Sequence, residues 1–316
     1  MSRINVPTAQ LATVTASDGL MLPALWYEPA VASKRLMAWL HGMGSSGIFY
    51  SVEHTNALAE AFVSSGTAFL GLQNRGGGML QGLKYYDQNG VSQRRLQGTS
   101  HELIAECVHD IEGAVTFARE QGYSELYLGG HSTGANKVAL FNYLCPQNPF
   151  SGYVLYGGGD DTGLFYEQLG AERYQKALTL SKRMVKSGHG ADLAPFDLLD
   201  DYFSFQSTCD ILDPDGAYNT FPFYESQSGS RLGTKPLFQE YKSIDKPTLV
   251  IYGADDEYCK PNAAAAVEML KRESSNPSKF SFQLIPNADH GGHPSEGVVA
   301  EAIAKWLNST SQDKHK

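Results

Sequence analysis

The stretch that decides the fold is Leu126-Tyr127-Leu128-Gly129-Gly130-His131-Ser132-Thr133-Gly134, which continues as Ala135-Asn136-Lys137-Val138. Residues 126–129 are apolar or small and predict a buried strand, whereas the spacing over 134–144 predicts a helix. The pentapeptide between them matches the pattern G-x-S-x-G. A sharp strand-to-helix turn exposes the serine hydroxyl, and side chains two positions either side would collide with neighbouring backbone. We therefore predict that Ser132 is a nucleophile, the alternative being a plain tight turn.

Short apolar runs alternate with helical patterns along most of the chain. The runs that predict strands are residues 11–16, 20–27, 36–40, 67–72, 126–129, 153–156, 248–252 and 280–285. Asp18-Gly19 separates the first two and is typical of a β-hairpin turn. Thr99 and Glu102 have the spacing of a capping box and predict the start of a helix. Repeated strand–helix units predict an α/β fold with a mostly parallel central sheet and helices on both faces.

Residues 160–245 interrupt this alternation and are rich in aromatic side chains. A segment this long between two strands predicts an inserted cap or lid, whose aromatic residues either form its own small core or contact substrate. We predict a core at 1–159 and 246–308, a cap at 160–245 and a flexible tail at 309–316. The densest aromatic run supplies candidate substrate-binding residues, Tyr202, Phe203 and Phe205. Residues 79–98 predict a long surface loop.

Composition excludes several classes of protein. Of the 316 residues, 42% are hydrophobic and 19% are charged, and the formal net charge is −9. This aromatic-rich, weakly charged chain is not disordered, and its acidic balance argues against a nucleic-acid partner. No apolar run reaches the roughly 18 residues needed to span a membrane, and the N-terminus lacks a signal pattern, so we expect a cytoplasmic protein. Four irregularly spaced cysteines predict reduced thiols and no zinc site.

A nucleophilic serine needs a base. The strand predicted at 280–285 is followed by Ala288-Asp289-His290-Gly291-Gly292. His290 would therefore lie at the carboxyl edge of the sheet that also carries Ser132, where it can take the serine proton and return it to the leaving group. His293 is the alternative base, and Asp289 is expected to shape the loop.

The base needs an acid that orients its ring. The strand predicted at 248–252 ends in Gly253-Ala254-Asp255-Asp256, and Asp256 is the expected acid. Asp255 and the pair Asp160 and Asp161, which follow the strand at 153–156, remain alternatives. Adjacent carboxylates of this kind also commonly face solvent or cap a turn.

The turn after the strand at 36–40 is His41-Gly42-Met43-Gly44. A glycine turn at this place can direct a backbone N–H at a developing oxyanion, and we expect the N–H groups of Met43 and Thr133 to be the donors. Loss of one such donor typically costs about 3–4 kcal/mol of transition-state stabilisation. The alternative is an ordinary strand–helix turn. His41 and His131, beside the turn and the nucleophile, are candidate substrate-binding residues.

The ordered set HGMG, GHSTG, GADD and ADHGG resembles the α/β-hydrolase superfamily over nearly the whole chain except the cap. GHSTG together with DKPTLVIYGADDEY (residues 245–258) is similar to serine esterases that include fungal siderophore-ester hydrolases. The resemblance implies hydrolysis of a small-molecule ester or lactone through an acyl-enzyme, with no metal or organic cofactor. The aromatic-rich cap favours a bulky substrate such as a macrocyclic lactone or ester. A thioesterase or an acyltransferase remains open, as does the oligomeric state.

Two other classes compete with this interpretation. Residues 42–47 also fit G-x-G-x-x-G after a strand, and Arg75 could then accept the 2′-phosphate of NADP in an oxidoreductase. That hypothesis leaves the other three motifs unexplained. A non-catalytic binding protein on the hydrolase fold would be expected to have lost a member of the triad, whereas Ser132, His290 and Asp256 are all present. We therefore predict a serine hydrolase.

Overall fold

The computed structural model describes residues 7–44, 47–49, 51–87 and 89–312. Ser45 and Ser46 of the glycine-rich motif, residues 1–6 of the N-terminus and 313–316 of the predicted tail lie outside the described residues. Within the described ranges the strands are β1 (Ala9–Thr15), β2 (Met21–Tyr27), β3 (Arg35–Leu40), β4 (Ala68–Leu72), β5 (Gln81–Tyr86), β6 (Ser92–Gln97), β7 (Glu125–His131), β8 (Phe150–Tyr156), β9 (Thr248–Gly253) and β10 (Phe280–Ile285). The α-helices are α1 (Val52–Ser64), α2 (Cys107–Glu120), α3 (Thr133–Leu144), α4 (Asp161–Lys186), α5 (Phe205–Leu212), α6 (Phe223–Ser228), α7 (Gln239–Lys242), α8 (Ala263–Glu273) and α9 (Glu296–Gln312).

Eight strands form one sheet in the order β1-β2-β4-β3-β7-β8-β9-β10. Strand β2 runs antiparallel to both of its neighbours, and all the remaining pairs are parallel. The predicted α/β fold with a mostly parallel sheet is therefore confirmed. Strands β1 and β2 form the predicted antiparallel hairpin. Gly19, in the turn between them, adopts a φ of +86°.

Helices cover both faces of the sheet. Because successive side chains of a strand point to opposite faces, β3 contributes alternate residues to two separate hydrophobic clusters. Leu36, Ala38 and Leu40 pack in the cluster that includes α2, α3 and α8. Met37 and Trp39 pack in the other cluster with α1 and α9. None of the described helices combines the length and the apolar character that crossing a membrane requires.

Residues 160–245 fold into helices α4 to α7 between β8 and β9. Helix α4 is interrupted at Gly170, whose φ is +72°. Phe203, Phe221 and Phe223 belong to the same hydrophobic cluster as one face of the sheet. These three aromatic residues therefore pack into a core that the segment shares with the sheet. The division into a core and a cap stays a prediction.

Two expectations about local structure were wrong, and the flexibility of the tail stays a prediction. Residues 79–98 contain the antiparallel hairpin of β5 and β6 instead of a loop; their polar, exposed sequence hid the strand pattern. Thr99 and Glu102 do not cap a helix, since α2 begins at Cys107 after a short 3-10 turn. Helix α9 continues to Gln312, so the described part of the predicted tail is helical.

Candidate active site

The turn between β7 and α3 places Ser132 in a strained backbone conformation, with φ of +57° and ψ of −131°. Non-glycine residues rarely adopt this region, which is found where the surrounding structure fixes a functional residue. A Cβ on Gly130 would lie 2.3 Å from the backbone of Gly134, and a Cβ on Gly134 would lie 2.4 Å from the carbonyl oxygen of Leu40. Both flanking positions therefore require glycine, as the sequence predicts.

The loops after β9 and β10 bring a histidine and a carboxylate together. His290 Nδ1 lies 3.1 Å and 3.0 Å from the two carboxylate oxygens of Asp256. The Asp256 side chain is 1% exposed and that of His290 is 13% exposed. Asp255 instead faces solvent. His293, the alternative base, contacts the carboxylate of Glu296 through Nδ1 instead.

The environment of His290 favours a basic imidazole. Burial alone would lower the pKa of His290, but the hydrogen bond and the charge of Asp256 oppose this, and the charges of Glu257 and Asp161 add to the effect. The net result is a pKa above the ordinary histidine value. Because Nδ1–H donates to Asp256, the neutral ring carries its basic lone pair on Nε2.

A cavity of about 810 Å³ opens above Ser132 and His290. It lies at the carboxyl ends of the sheet strands, where α/β sheets bind ligands, and its size is in the range of small-molecule sites. Its wall from α4 consists of four residues at helical spacing, and its other walls come from the start of α1 and from the loops after β3, β7, β8, β9 and β10. The lining residues beside Ser132 and His290 include Met43, Phe49, Thr133, Asp161, Leu164, Phe165, Gln168, Glu257 and Tyr258.

The turn after β3 passes close to the nucleophile. A Cβ on Gly42 would lie 2.7 Å from the Cβ of Ser132, so only glycine allows this approach. Met43 and Thr133 both line the cavity. Neither backbone N–H has an acceptor among the described residues, whereas the N–H of Gly44 donates to Thr99 Oγ1 at 2.8 Å. The two expected oxyanion donors therefore remain available to a ligand.

A buried polar network braces this turn, and no sequence pattern predicted it. Asn74 Nδ2 donates to the carbonyl of His41 at 3.2 Å, and Lys137 Nζ donates to Asn74 Oδ1 at 3.2 Å. Lys137 is fully buried and ion-paired with Glu102. Thr99 Oγ1 also donates to the carbonyl of Gly76 at 2.9 Å. The sequence feature that could have indicated this network is Lys137, the one charged residue of helix α3.

The predicted substrate-binding residues have different positions. His131 lines the cavity. His41 is buried behind the turn, where Nδ1 contacts the carbonyl oxygen of Gly42 at 2.8 Å. Tyr202, Phe203 and Phe205 do not appear in the described cavity wall: Tyr202 is exposed, and Phe203 and Phe205 are buried away from it.

Helix α4 supplies the cavity wall instead of those aromatic residues. Asp161, Leu164, Phe165 and Gln168 stand at positions i, i+3, i+4 and i+7, which share one helix face. That spacing directly after β8 is the signal that would have identified them.

The two aspartates after β8 do not pair with His290. Asp160 accepts the N–H groups of Gly163 and Tyr224, each at 2.7 Å, and burial raises the pKa of its carboxyl to about 7. Asp161 accepts a hydrogen bond from Thr133 Oγ1 at 3.1 Å, and burial raises its pKa to about 6. They cap α4 and line the cavity, respectively.

Arg75 is unavailable to a dinucleotide phosphate. Its guanidinium is fully buried and ion-paired with Asp110, Asp18 and Glu106 at 2.7, 3.2 and 2.9 Å. A buried, saturated guanidinium has no donor left for a 2′-phosphate. This observation removes the residue on which the oxidoreductase hypothesis depended.

Comparison with known proteins gives one family and many similar folds. Residues 32–293 match the family described as serine aminopeptidase, S33. None of the curated proteins compared matches the chain. Est1E of Butyrivibrio proteoclasticus, solved with ferulic acid, is similar with a TM-score of 0.60 at 15% identity, covering 95% of this chain and 99% of that one.

Two further solved structures have comparable similarity. For a monoglyceride lipase of Saccharomyces cerevisiae bound to a substrate analogue, the TM-score is 0.58 at 15% identity, with 98% of this chain and 97% of that one covered. For a carboxylesterase of Bacillus subtilis, the TM-score is 0.51 at 16% identity, with 95% and 92% covered. At these identities the likeness shows a shared fold.

Proposed function

Because the chain belongs to the α/β-hydrolase superfamily, in the family described as serine aminopeptidase, S33, we propose that it is a serine hydrolase that cleaves a carboxylic ester. The observation that carries the proposal is the pairing of His290 with Asp256 beside the same cavity as the strained Ser132. Nucleophile, base and orienting acid come from three different loops at one edge of the sheet, which is the arrangement that acyl transfer requires.

The proposed reaction has two halves, acylation of Ser132 and hydrolysis of the acyl-enzyme, and His290 and Asp256 act in both. Ser132 Oγ attacks the carbonyl carbon while His290 Nε2 takes the hydroxyl proton, and the proton then passes to the leaving alcohol as the C–O bond breaks. Asp256 holds the ring through Nδ1 and stabilises the imidazolium. Water, deprotonated by His290, releases the acid from the acyl-enzyme.

The oxyanion formed in both halves needs fixed donors. We propose the backbone N–H groups of Met43 and Thr133, which border the cavity on two sides of Ser132. Thr133 begins helix α3, so the partial positive charge of the helix N-terminus acts at the same place. The network that braces the turn through Asn74 would keep the Met43 N–H in place as charge develops.

Esters are the favoured substrates, and the size of the cavity supports a bulky acyl or alcohol group, including a lactone or a macrocyclic ester. The apolar walls formed by Leu164, Phe165 and Tyr258 suit such a group. The esterase and lipase structures with the same fold add support for ester chemistry. The four cysteines are all free, which agrees with the cytoplasmic location proposed from the sequence.

A substrate panel tests the proposal. Wild type, Ser132→Ala and the exposed-serine control Ser278→Ala are assayed on matched esters, lactones, thioesters and amides. We expect ester or lactone turnover in wild type and in the Ser278→Ala control, and none above background in Ser132→Ala. Turnover of thioesters or amides alone would contradict ester hydrolysis. If short-chain nitrophenyl esters exceed every bulky ester in kcat/KM, the proposal of a bulky substrate is wrong.

A further inference from the structure

The backbone of His290 is bound at both of its polar atoms by side chains from distant parts of the chain, one in strand β7 and one in the loop after β9. Its N–H donates to Glu257 Oε2 at 3.0 Å. Its carbonyl oxygen lies 2.7 Å from His131 Nε2. We propose that His131 and Glu257 form a backbone clamp, two positioning residues that fix the proposed base relative to Ser132 and Asp256. The inference rests on the proposed function, in which His290 is the base.

The protonation state of His131 follows from its surroundings. Burial, together with the neighbouring His290 and His54, holds the pKa of His131 well below its ordinary value, so the ring is neutral. A neutral imidazole has a single N–H, and a carbonyl oxygen can only accept. His131 therefore carries its proton on Nε2 and donates it to His290. Its ring centroid lies 4.6 Å from that of Tyr156, which restricts its rotation.

The two halves of the clamp are joined to the machinery that they position. His131 is the last residue of β7 and directly precedes Ser132. Its hydrogen bond therefore connects strand β7 to the histidine loop, residues 286–295 between β10 and α9. Glu257 directly follows Asp256, so one loop binds both the ring and the backbone of His290. A ring hydrogen bond alone leaves the backbone free to shift, whereas bonds to N–H and C=O fix the position of the Cα.

The histidine loop needs such external support. It contains Asn287 and Gly292 at positive φ, 54° and 91°. Between β10 and α9 it has no regular secondary structure. A displacement of about 1 Å at a reacting group can cost about a hundredfold in rate. Removing one half of the clamp should therefore lower kcat while leaving KM nearly unchanged.

The test of His131 compares a substitution that retains a donor with one that does not. His131→Gln keeps an N–H at nearly the position of Nε2, whereas His131→Leu keeps bulk alone. On a nitrophenyl ester we expect His131→Leu to lose about 10- to 100-fold in kcat with KM within about twofold, and His131→Gln to recover most of the loss. The exposed His189→Leu is the matched control and should behave as wild type.

The test of Glu257 adds a pH readout. Glu257→Gln keeps an acceptor for the His290 N–H but loses a charge that, with Asp256 and Asp161, helps to raise the pKa of His290. The acid limb of the pH profile of kcat/KM should therefore move to lower pH in Glu257→Gln. Glu257→Leu should show the same shift together with a larger loss of kcat. A side chain that served only folding would change the melting temperature without moving this limb.

An NMR measurement separates this inference from the proposed function. In protein labelled at histidine, wild type should show an exchange-protected Nε2–H resonance of His131 that is absent from His131→Leu, whatever reaction the protein catalyses. Wild-type kcat in His131→Leu, or equal losses in the Leu and Gln variants, would overturn the clamp. Ester turnover that persists in Ser132→Ala would instead overturn the proposed function.

Discussion

Replacing Asp256 by Asn removes the charge that stabilises protonated His290 while leaving the size of the side chain almost unchanged. The carboxylate oxygens lie 3.0 and 3.1 Å from Nδ1 in a buried site. Two unit charges about 4 Å apart interact by about 4 kcal/mol at an effective dielectric constant of about 20. Because the imidazolium forms in the transition state of the proposed mechanism, Asp256→Asn should raise the reaction barrier by nearly all of this amount.

A loss of about 4 kcal/mol corresponds to a fall in kcat of about a thousandfold. The amide can also donate to Nδ1, which favours the ring tautomer with its proton on Nε2, where it cannot accept the proton of Ser132. The pKa of His290 should fall, because Asp256 is the main group that raises it against burial. The acid limb of the kcat/KM profile should therefore move to lower pH.

The assay is hydrolysis of a nitrophenyl ester by wild type, Asp256→Asn and the matched control Asp255→Asn. Asp255 is the neighbouring, exposed carboxylate, and its amide variant should keep kcat within about twofold. If Asp256→Asn keeps more than about a tenth of the wild-type kcat, Asp256 does not stabilise the imidazolium as proposed. A thousandfold loss in Asp161→Asn with none in Asp256→Asn would make Asp161 the acid.

Three further substitutions have expected outcomes. Gly130→Ala should abolish activity and destabilise the fold by about 3 kcal/mol in urea unfolding, because the new Cβ would lie 2.3 Å from the backbone of Gly134. Lys137→Met should lower the free energy of unfolding by about 3–5 kcal/mol, because Glu102 would be left buried without its cation. Burial raises the pKa of Asp210 from 3.8 to about 6, so the folded state binds its proton more tightly and this residue lowers stability as pH rises through that window. The free energy of unfolding of Asp210→Asn should therefore rise relative to that of wild type by about 1–2 kcal/mol as pH increases from about 4 to 7, measured by urea unfolding across pH.

Each of these has a control and a contrary result. Gly297→Ala, in helix α9 with open space around the new Cβ, should gain about 0.5–1 kcal/mol; equal losses at both glycines would contradict the steric argument. Replacing Lys137 and Glu102 together by Met and Leu should recover much of the lost stability, and no recovery would count against charge burial. The exposed Asp197→Asn should not change the pH dependence of the free energy of unfolding. A difference between Asp210→Asn and wild type that stays constant with pH would contradict the titration argument.

The sequence was sufficient for features that depend on local geometry. The glycine spacing around Ser132 predicts a strand–turn–helix because the steric demand is met within five residues. His290 and Asp256 could be placed at the same edge because each follows an apolar run in a parallel sheet, and parallel strands end at one edge. Neither inference required knowledge of distant contacts.

The remaining features depend on long-range packing that no local pattern encodes. Thr99 has the spacing of a helix cap, but its hydroxyl instead binds Gly44 and Gly76 in other loops. Phe203 and Phe205 are buried and do not line the cavity. Tertiary contacts decide which face of helix α4 meets the cavity, and the i, i+3, i+4 spacing of its residues was the better guide.

Covalent labelling with a fluorophosphonate, followed by mass spectrometry of the modified peptide, tests most directly whether Ser132 is the activated nucleophile. A fluorophosphonate reacts with a serine that a neighbouring base activates, so it tests the proposed triad without knowledge of the substrate. We predict one phosphonylated residue, Ser132, in wild type, slow labelling in Asp256→Asn and none in Ser132→Ala. Labelling that persists in Ser132→Ala, or that maps to another residue, would contradict the central claim.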